Sequence, residues 1–210
     1  MPGTRRGRKG RVGSGDAVAA IRAGQLVVLP TDTVYGLCCD GYREPPFRRL
    51  LKLKARPESM PVALLAADLD VVLDAVPEAR GRAAVVARAL LPGPYTLVLP
   101  NPARRFRWLC GTTPEAIGVR VPALTPESRA VVERAGVLAA TSANLHGGLD
   151  PARLADVPPE ILDGCGAVVD AGELPGTPST VVDLTCPEPV VLREGAVPAD
   201  EALAAARRKP

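Results

Sequence analysis

Four short groups of polar side chains each lie where an apolar stretch ends, and they carry the residue types that bind small anions. Hydroxyl and amide groups orient a ligand by hydrogen bonding, while Arg offers a planar fork for anions and Lys a point charge. Because ligands of α/β sheets bind in the crevice beyond strand ends, we expect the four groups to converge there. The groups are Thr31, Asp32, Thr33 and Tyr35; Lys54 and Arg56; Thr141, Ser142 and Asn144; and Ser179 and Thr180 with Arg193.

Each group taken alone also has a purely structural explanation. The threonines on either side of Asp32 could hold a turn through hydrogen bonds to their own backbone. Lys54 and Arg56 could be a solvated helix end, where positive charge favours the helix dipole. Residues 142–144 could cap a helix. The occurrence of all four groups in one chain favours a binding site.

Several common nucleotide-binding and hydrolase motifs do not occur. The stretch GSGDAV, which begins at Gly13, follows no predicted strand, so we interpret it as a flexible hinge and not as a dinucleotide loop. No Gly-x-x-x-x-Gly-Lys-Ser/Thr motif is present, and the single histidine, His146, has no Gly-x-Ser-x-Gly partner motif. A nucleotide would therefore bind to a less common scaffold.

Charge and composition limit the possible partners. Eight of the 26 basic residues lie in the first 11 and the last four positions, and the remaining 18 stand against 23 acidic residues. The acidic body disfavours a general nucleic-acid binder, although the basic ends could contact RNA weakly. Five cysteines without a Cys-x-x-Cys pair indicate a reducing, cytoplasmic location and no protein metal site. No apolar run reaches the ~20 residues that span a membrane.

Helical and strand patterns alternate along the chain, which predicts a layered α/β domain with a twisted mixed sheet and flanking helices. We place one domain at residues 13–197, after a basic, disordered leader at 1–12 and before a C-terminal helix or tail at 198–210. We expect Asp16 and Thr125 to cap two of the helices. The predicted strands are QLVVLP, PVALLA, YTLVLP, AIGVRVP, VLAATS, GAVVDAG, STVVDLT and PVVLREG, and the predicted helices lie in GDAVAAIRAG, PPFRRLLKLKAR, EARGRAAVVARALLPG, TPESRAVVERAG and PARLADVPPEILDG.

Six motifs follow one another in a fixed order, and together they resemble the YrdC family of threonylcarbamoyl-AMP synthases. Each motif is weak alone, but six in register are specific, and the resemblance covers about residues 16–197. The motifs are PTDTVYG (30–36), KARP (54–57), LPGPYTL (91–97), VRVP (119–122), TSAN (141–144) and STVVD (179–183).

The resemblance implies the short, single-domain form of the family, with a concave cavity on the sheet. It implies an enzyme that condenses L-threonine, bicarbonate and ATP into threonylcarbamoyl-AMP and pyrophosphate, with Mg²⁺ accompanying ATP. A separate transferase complex, which the enzyme would contact transiently, then modifies an adenosine of certain tRNAs.

The resemblance also assigns roles to single residues, and it implies no protein metal ligand. Lys54 and Arg56 are the expected catalytic cations. The expected threonine-binding residues are Thr33, Arg120, Ser142 and Ser179, and the expected ATP-binding residues are Lys54, Arg56, Asn144 and Arg193.

Two positions depart from the family pattern, and two other functions stay open. His146 stands where relatives often have serine, and we expect it at the surface or behind the site. Met60 replaces a residue that is polar or basic in many relatives. The alternatives are a paralogue that forms carbamoyl-adenylate from carbamoyl phosphate, and an RNA-binding module. The sequence does not decide between threonine and serine as the substrate.

Overall fold

The described part of the chain folds around one mixed sheet. The computed structural model describes residues 13–207, in which nine strands are found. The strands are β1 (Leu26–Pro30), β2 (Tyr35–Asp40), β3 (Ala63–Leu65), β4 (Tyr95–Pro100), β5 (Ala116–Arg120), β6 (Leu138–Ser142), β7 (Cys165–Val168), β8 (Thr180–Asp183) and β9 (Val190–Arg193).

The sheet contains both parallel and antiparallel pairs, so the prediction of a mixed sheet is confirmed. The spatial order is β7-β1-β2-β6-β3-β5-β4-β8-β9. The β1–β7, β3–β5 and β4–β8 pairs are parallel, and the other five are antiparallel.

Seven α-helices pack on this sheet in residues 13–207. Short 3₁₀ turns also occur at Arg107–Leu109 and Leu154–Asp156. The helices are α1 (Ser14–Arg22), α2 (Glu44–Lys54), α3 (Leu69–Ala75), α4 (Arg82–Leu90), α5 (Pro126–Ala135), α6 (Pro159–Gly164) and α7 (Ala199–Arg207).

The predicted elements are present, but the sequence patterns missed β2 and α3. Tyr35, grouped with the polar residues that follow the first strand, begins β2. All residues of β2 except the last are buried, so the strand lacks the alternation of apolar and polar residues that marks a half-buried strand.

One of the two predicted helix caps is confirmed. The Ser128 N–H donates to Thr125 Oγ1 at 3.3 Å, so Thr125 caps α5. The prediction for Asp16 is wrong, because α1 begins at Ser14 and Asp16 lies in its first turn. The hinge interpretation fails for residues 14 and 15, since a helical first turn includes them. Residues 1–12 and 208–210, with the basic leader, lie outside the described residues.

The two faces of the sheet are covered differently. On one face, α1 and α5 pack on β1, β2 and β6 through a cluster that includes Val18, Val132 and Cys38. On β4, β5 and β8, the residues that point to this same face are partly exposed. The residues that alternate with them along each strand point to the opposite face and are buried in the larger core. We call this partly exposed area, formed by Ala63, Thr96, Gly118 and Val181, the open face.

The C-terminal helix packs on the sheet edge. Ala202 and Ala206 of α7 are buried, and α7 contacts β8, β9 and α4. Within residues 13–207, no helix combines the length and the apolar character needed to cross a lipid bilayer.

Candidate active site

The loop between β1 and β2 is held by the hydroxyl group of Thr31. This oxygen accepts the N–H groups of Thr33 and Val34, both at 3.3 Å, and donates to Val34 O at 2.8 Å. The turn explanation is therefore correct for Thr31. Thr33 is 0% exposed, and its hydroxyl lies 3.0 Å from that of Thr31. Its contact with a substrate stays a prediction.

Arg120 reaches this loop from β5 and pairs with Asp32. Its Nη2 donates to Asp32 Oδ1 at 2.8 Å and to Thr33 Oγ1 at 3.1 Å, and Asp32 Oδ2 accepts the Ala123 N–H at 3.1 Å. Both charged side chains are about nine-tenths buried, with 11% and 10% exposed. The Arg120 Nε has no hydrogen-bond partner within residues 13–207. Burial lowers the pKa of Arg120, the Asp32 carboxylate opposes this, and the charge of Arg193 adds to it.

Sequence reasoning placed Asp32 in a polar group but gave it no role in the site. Its partner Arg120 is 88 residues away in the chain. The signal that was present is a carboxylate between two threonines at the end of a buried strand.

Lys54 is the last residue of α2, and its ammonium group is enclosed. It donates to Ser142 O at 2.8 Å, to Asn144 O at 2.6 Å and to Asn144 Oδ1. These three bonds use all of its N–H groups, and the residue is 2% exposed. Burial and the charge of Arg56 lower the pKa of Lys54 to about 8, against the opposing effect of Asp150. Lys54 thus fixes the segment that follows β6.

The Asn144 side chain connects Lys54 to the rest of that segment. Its Oδ1 accepts a hydrogen bond from Ser142 Oγ at 2.7 Å, and its Nδ2 donates to Gly148 O at 2.5 Å and to Asp150 Oδ1 at 3.4 Å. Asn144 is 6% exposed. The structure therefore shows it as a partner of Lys54, and its contact with ATP stays a prediction.

Arg56 is brought beside Lys54 by the end of α2. Ala55 adopts a left-handed conformation with φ 52°, and the Arg56 N–H then bonds to Leu51 O at 2.9 Å. The guanidinium donates to Pro61 O at 2.8 Å, whereas its buried Nε has no partner in the described chain. Burial lowers the pKa of Arg56, and Arg193 lowers it further.

Ser179 and Arg193 meet at the start of β8. Arg193 Nη2 donates to Ser179 O at 2.8 Å and lies 3.4 Å from Ser179 Oγ, which in turn lies 2.8 Å from Thr96 Oγ1 on the open face. Thr180 has a structural role, because its hydroxyl accepts two backbone N–H groups of the segment after β9.

Four cations form a series in which each lies within electrostatic range of the next, in the order Lys54, Arg56, Arg193 and Arg120. In addition to burial, the charge of Arg193 lowers the pKa of Arg56 and of Arg120, and the charge of Arg56 lowers the pKa of Lys54. Like charges at short distance produce such shifts. An excess of positive charge among hydroxyl groups attracts anions. The polar groups of the sequence are therefore brought together, and the site is suited to an anionic ligand.

The two departures from the family pattern lie at the rim of this region. His146 is exposed, as expected for a surface residue, and its backbone N–H donates to Lys54 O at 2.9 Å. Met60 is 36% exposed. A separate hollow of about 370 Å³, lined by residues that include Phe47 and Trp108, shares no residue with the site.

The buried hydroxyl of Tyr35 ties a further segment to the site. It lies 2.8 Å from both Asp170 Oδ1 and Gly172 O, and it accepts the Ala171 N–H at 3.0 Å. Burial is the main cause that raises the pKa of Tyr35 to about 12. The segment that it holds continues to Ser179, so the Tyr35 hydroxyl group stabilises the chain that leads into the site.

We expect Tyr35→Phe to lower the free energy of unfolding by about 1–3 kcal/mol, because buried partners lose their hydrogen bonds. Urea denaturation measures this change. Tyr42→Phe is the matched control, since Tyr42 is 54% exposed. Equal effects of the two variants would contradict the structural role of the Tyr35 hydroxyl.

Comparisons with known proteins support one family. The family model Sua5/YciO/YrdC, described as "Telomere recombination", matches residues 19–195. A threonylcarbamoyl-AMP synthase of Pyrococcus abyssi is 34% identical over 189 residues, covering 88% of this chain and 54% of the relative. A threonylcarbamoyl-AMP synthase of Stenotrophomonas maltophilia is 36% identical, covering 76% of this chain and 86% of the relative.

Solved structures agree with this result. The crystal structure of P. abyssi Sua5 complexed with L-threonine has a TM-score of 0.82 and 31% identity, and the match covers 93% of this chain and 58% of that one. The chain thus spans little more than half the length of its P. abyssi relative. From the matched model and these similarities, the chain belongs to the Sua5/YciO/YrdC family.

Proposed function

We propose that the protein is a threonylcarbamoyl-AMP synthase, a nucleotidyltransferase that joins L-threonine, bicarbonate and ATP. The main support is the gathering of Lys54, Arg56, Arg120 and Arg193 with hydroxyl groups beside the open face. Relatives that bear this name, and a relative that binds L-threonine, agree with this proposal.

The proposed reaction has two steps. The amine nitrogen of threonine forms a bond to the bicarbonate carbon, and water leaves, which produces a carbamate. A carbamate oxygen then attacks the α-phosphorus of ATP, and the bond to the bridging oxygen breaks, so that pyrophosphate leaves with the electron pair. Because both reactants are anions, the protein contributes chiefly by positioning and by neutralising charge.

The contacts of the four cations support a different role for Arg120, for Lys54, and for the pair Arg56 and Arg193. Arg120 would bind the threonine carboxylate, because in the described chain Asp32 and Thr33 accept only from its Nη2, which leaves the N–H groups of Nη1 for a ligand. Arg56 and Arg193 would bind the phosphates. Lys54 would act mainly through Ser142 and Asn144, since its three N–H groups already bond to them.

Magnesium would enter as part of the substrate. The described residues contain no group of three His, Cys, Asp or Glu side chains placed to hold a metal ion. Mg²⁺ commonly keeps several waters and binds through substrate phosphates. We therefore propose that Mg²⁺ is bound by the phosphate oxygens of ATP and by water.

Pyrophosphate release tests the proposal. It should require L-threonine, bicarbonate and ATP together, and mass spectrometry with labelled bicarbonate should detect one labelled carbon in the adenylate product. Adenylate formation from carbamoyl phosphate without threonine would instead support the carbamoyl-adenylate alternative. Release that is independent of threonine would contradict the proposal.

The partners and the location follow from this function. We propose that the product passes to a tRNA-modifying transferase complex in the cytoplasm, where the five cysteines, none of which forms a disulfide bond in the described chain, would stay reduced. Weak RNA contact through the basic ends stays a prediction. This RNA contact predicts an affinity for RNA that falls steeply as the salt concentration rises. Removal of residues 1–11 should also weaken it.

The pH dependence of the reaction should report Lys54. With a pKa of about 8, its ammonium group loses its proton above that pH, so kcat/KM should fall as pH rises through about 8. The ratio of wild type to Lys54→Met cancels the titration of the substrates, and this ratio should show the same fall. A ratio that stays constant from pH 7 to 9.5 would contradict the prediction.

The stability of the fold should increase over the pH range in which the activity falls. Lys54 has a pKa of 10.5 when unperturbed, so between about pH 8 and 10.5 the unfolded chain binds more protons than the folded one. Its contribution to the free energy of unfolding therefore rises with pH in that window. Urea denaturation at pH 7.5 and 9.5 then separates loss of activity from unfolding.

A further inference from the structure

A row of small residues crosses the sheet beside the four cations. Ala140 of β6 pairs with Ala63 of β3, and Ala63 lies next to Gly118 of β5. Ala63 and Gly118 are partly exposed, whereas Ile117 and Val119, on either side of Gly118, are buried in the core of the opposite face. The side chains are therefore small at Ala140, Ala63 and Gly118, and Val98 of β4, which pairs with Gly118, borders this area.

The fold itself does not require glycine at position 118. An alanine Cβ there would lie 3.7 Å from Thr96 Cγ2 and 3.8 and 3.9 Å from Ala63 Cα and Cβ, which is ordinary van der Waals contact. Gly118 is not among the glycines with positive φ in the described chain. Because glycine weakens a strand interior relative to alanine, the missing methyl group points to a need for space above the sheet.

The residues that would hold threonine surround this space. Arg120 lies two positions after Gly118 on the same face of β5. The methyl group of Thr96 is the nearest atom to the Cβ position at Gly118, and the hydroxyl group of Thr96 lies 2.8 Å from Ser179 Oγ. The register of β4 and β5 brings Thr96 opposite Arg120, so a small amino acid held between Arg120 and Ser179 lies over Thr96, and the space above Gly118 is next to it.

We propose that Gly118 is a specificity-determining residue, whose backbone forms the floor that contacts the side-chain methyl group of L-threonine. This inference rests on the proposed function. A Cβ at position 118 would take up the space of that methyl group. L-Serine lacks the methyl group, so it would still fit.

The test is Gly118→Ala with each amino acid in turn. We expect KM for L-threonine to rise about tenfold or more, the scale of one displaced methyl group, with kcat and KM for ATP little changed. The preference for L-threonine over L-serine in kcat/KM should fall by about the same factor. The melting temperature should equal or exceed that of wild type, since the Cβ fits and glycine is removed.

Two further variants complete the experiment. Gly15→Ala adds a methyl group in α1 with nothing within 4 Å, and it should change no kinetic constant. Ala63→Gly in the Gly118→Ala background removes the neighbouring methyl group and should restore part of the threonine preference. Equal losses for threonine and serine, or a rise only in KM for ATP, would overturn the role of Gly118. A wild-type protein that is inactive with every amino acid would overturn the proposed function itself.

Discussion

Replacing Arg56 with alanine is expected to lower kcat for pyrophosphate release by roughly 30- to 1000-fold. This range corresponds to the loss of about 2–4 kcal/mol of transition-state stabilisation, as for other preorganised donors. Arg56 carries a buried Nε without a partner in the described chain, next to Arg193. Within residues 13–207 its guanidinium bonds only to Pro61 O, through Nη2, so the N–H groups of Nη1 are available to an anion, whereas those of Lys54 are already used.

The fold should tolerate this replacement, because the Arg56 side chain bonds only to Pro61 O among the described residues. We expect the free energy of unfolding to change by about 1 kcal/mol. Arg56→Lys keeps the positive charge but loses the planar guanidinium group, so it should recover only part of the wild-type kcat. Lys52→Ala removes an exposed charge from the last turn of α2, which precedes Arg56, and should act like wild type. An Arg56→Ala enzyme with wild-type kcat would show that Arg56 does not bind the phosphates.

Replacing Asp32 with asparagine is expected to lower the free energy of unfolding by about 3–5 kcal/mol. The change leaves the charge of Arg120 buried without its carboxylate, and an unpaired buried charge is costly. The cation Arg193 lies close enough to Arg120 to add to this cost. Urea denaturation measures the effect, and KM for threonine should rise as well, because Asp32 no longer fixes Arg120.

Two variants isolate the contribution of this ion pair. Asp70→Asn breaks the Asp70–Arg88 pair, whose N–O distance is also 2.7–2.8 Å but whose side chains are 74% and 57% exposed, and it should cost about 1 kcal/mol or less. Asp32→Asn combined with Arg120→Met removes both charges and should be less destabilising than Asp32→Asn alone. If Asp32→Asn cost no more than Asp70→Asn, the buried Asp32–Arg120 pair would not stabilise the fold more than an exposed pair does.

The fold could be predicted from the sequence wherever local patterns mark an element. Period-two alternation in YTLVLP predicts β4, and the Thr-Pro pair at residues 125–126 predicts the start of α5. The same patterns fail for β2, because burial on both faces removes the alternation. They fail at Ser14 too, where α1 begins without a side-chain cap.

By itself, the sequence determined the α/β class and the residue types of the site, because periodicity, turns and polar groups are local properties of the chain. Only the tertiary structure decided which of these groups meet. Lys54 bonds to Asn144 across 90 residues, and Arg120 bonds to Asp32 across 88. Such pairs depend on strand order and register, which non-local packing sets. For the same reason, only the sheet register reveals the place of Gly118 beside Ala63.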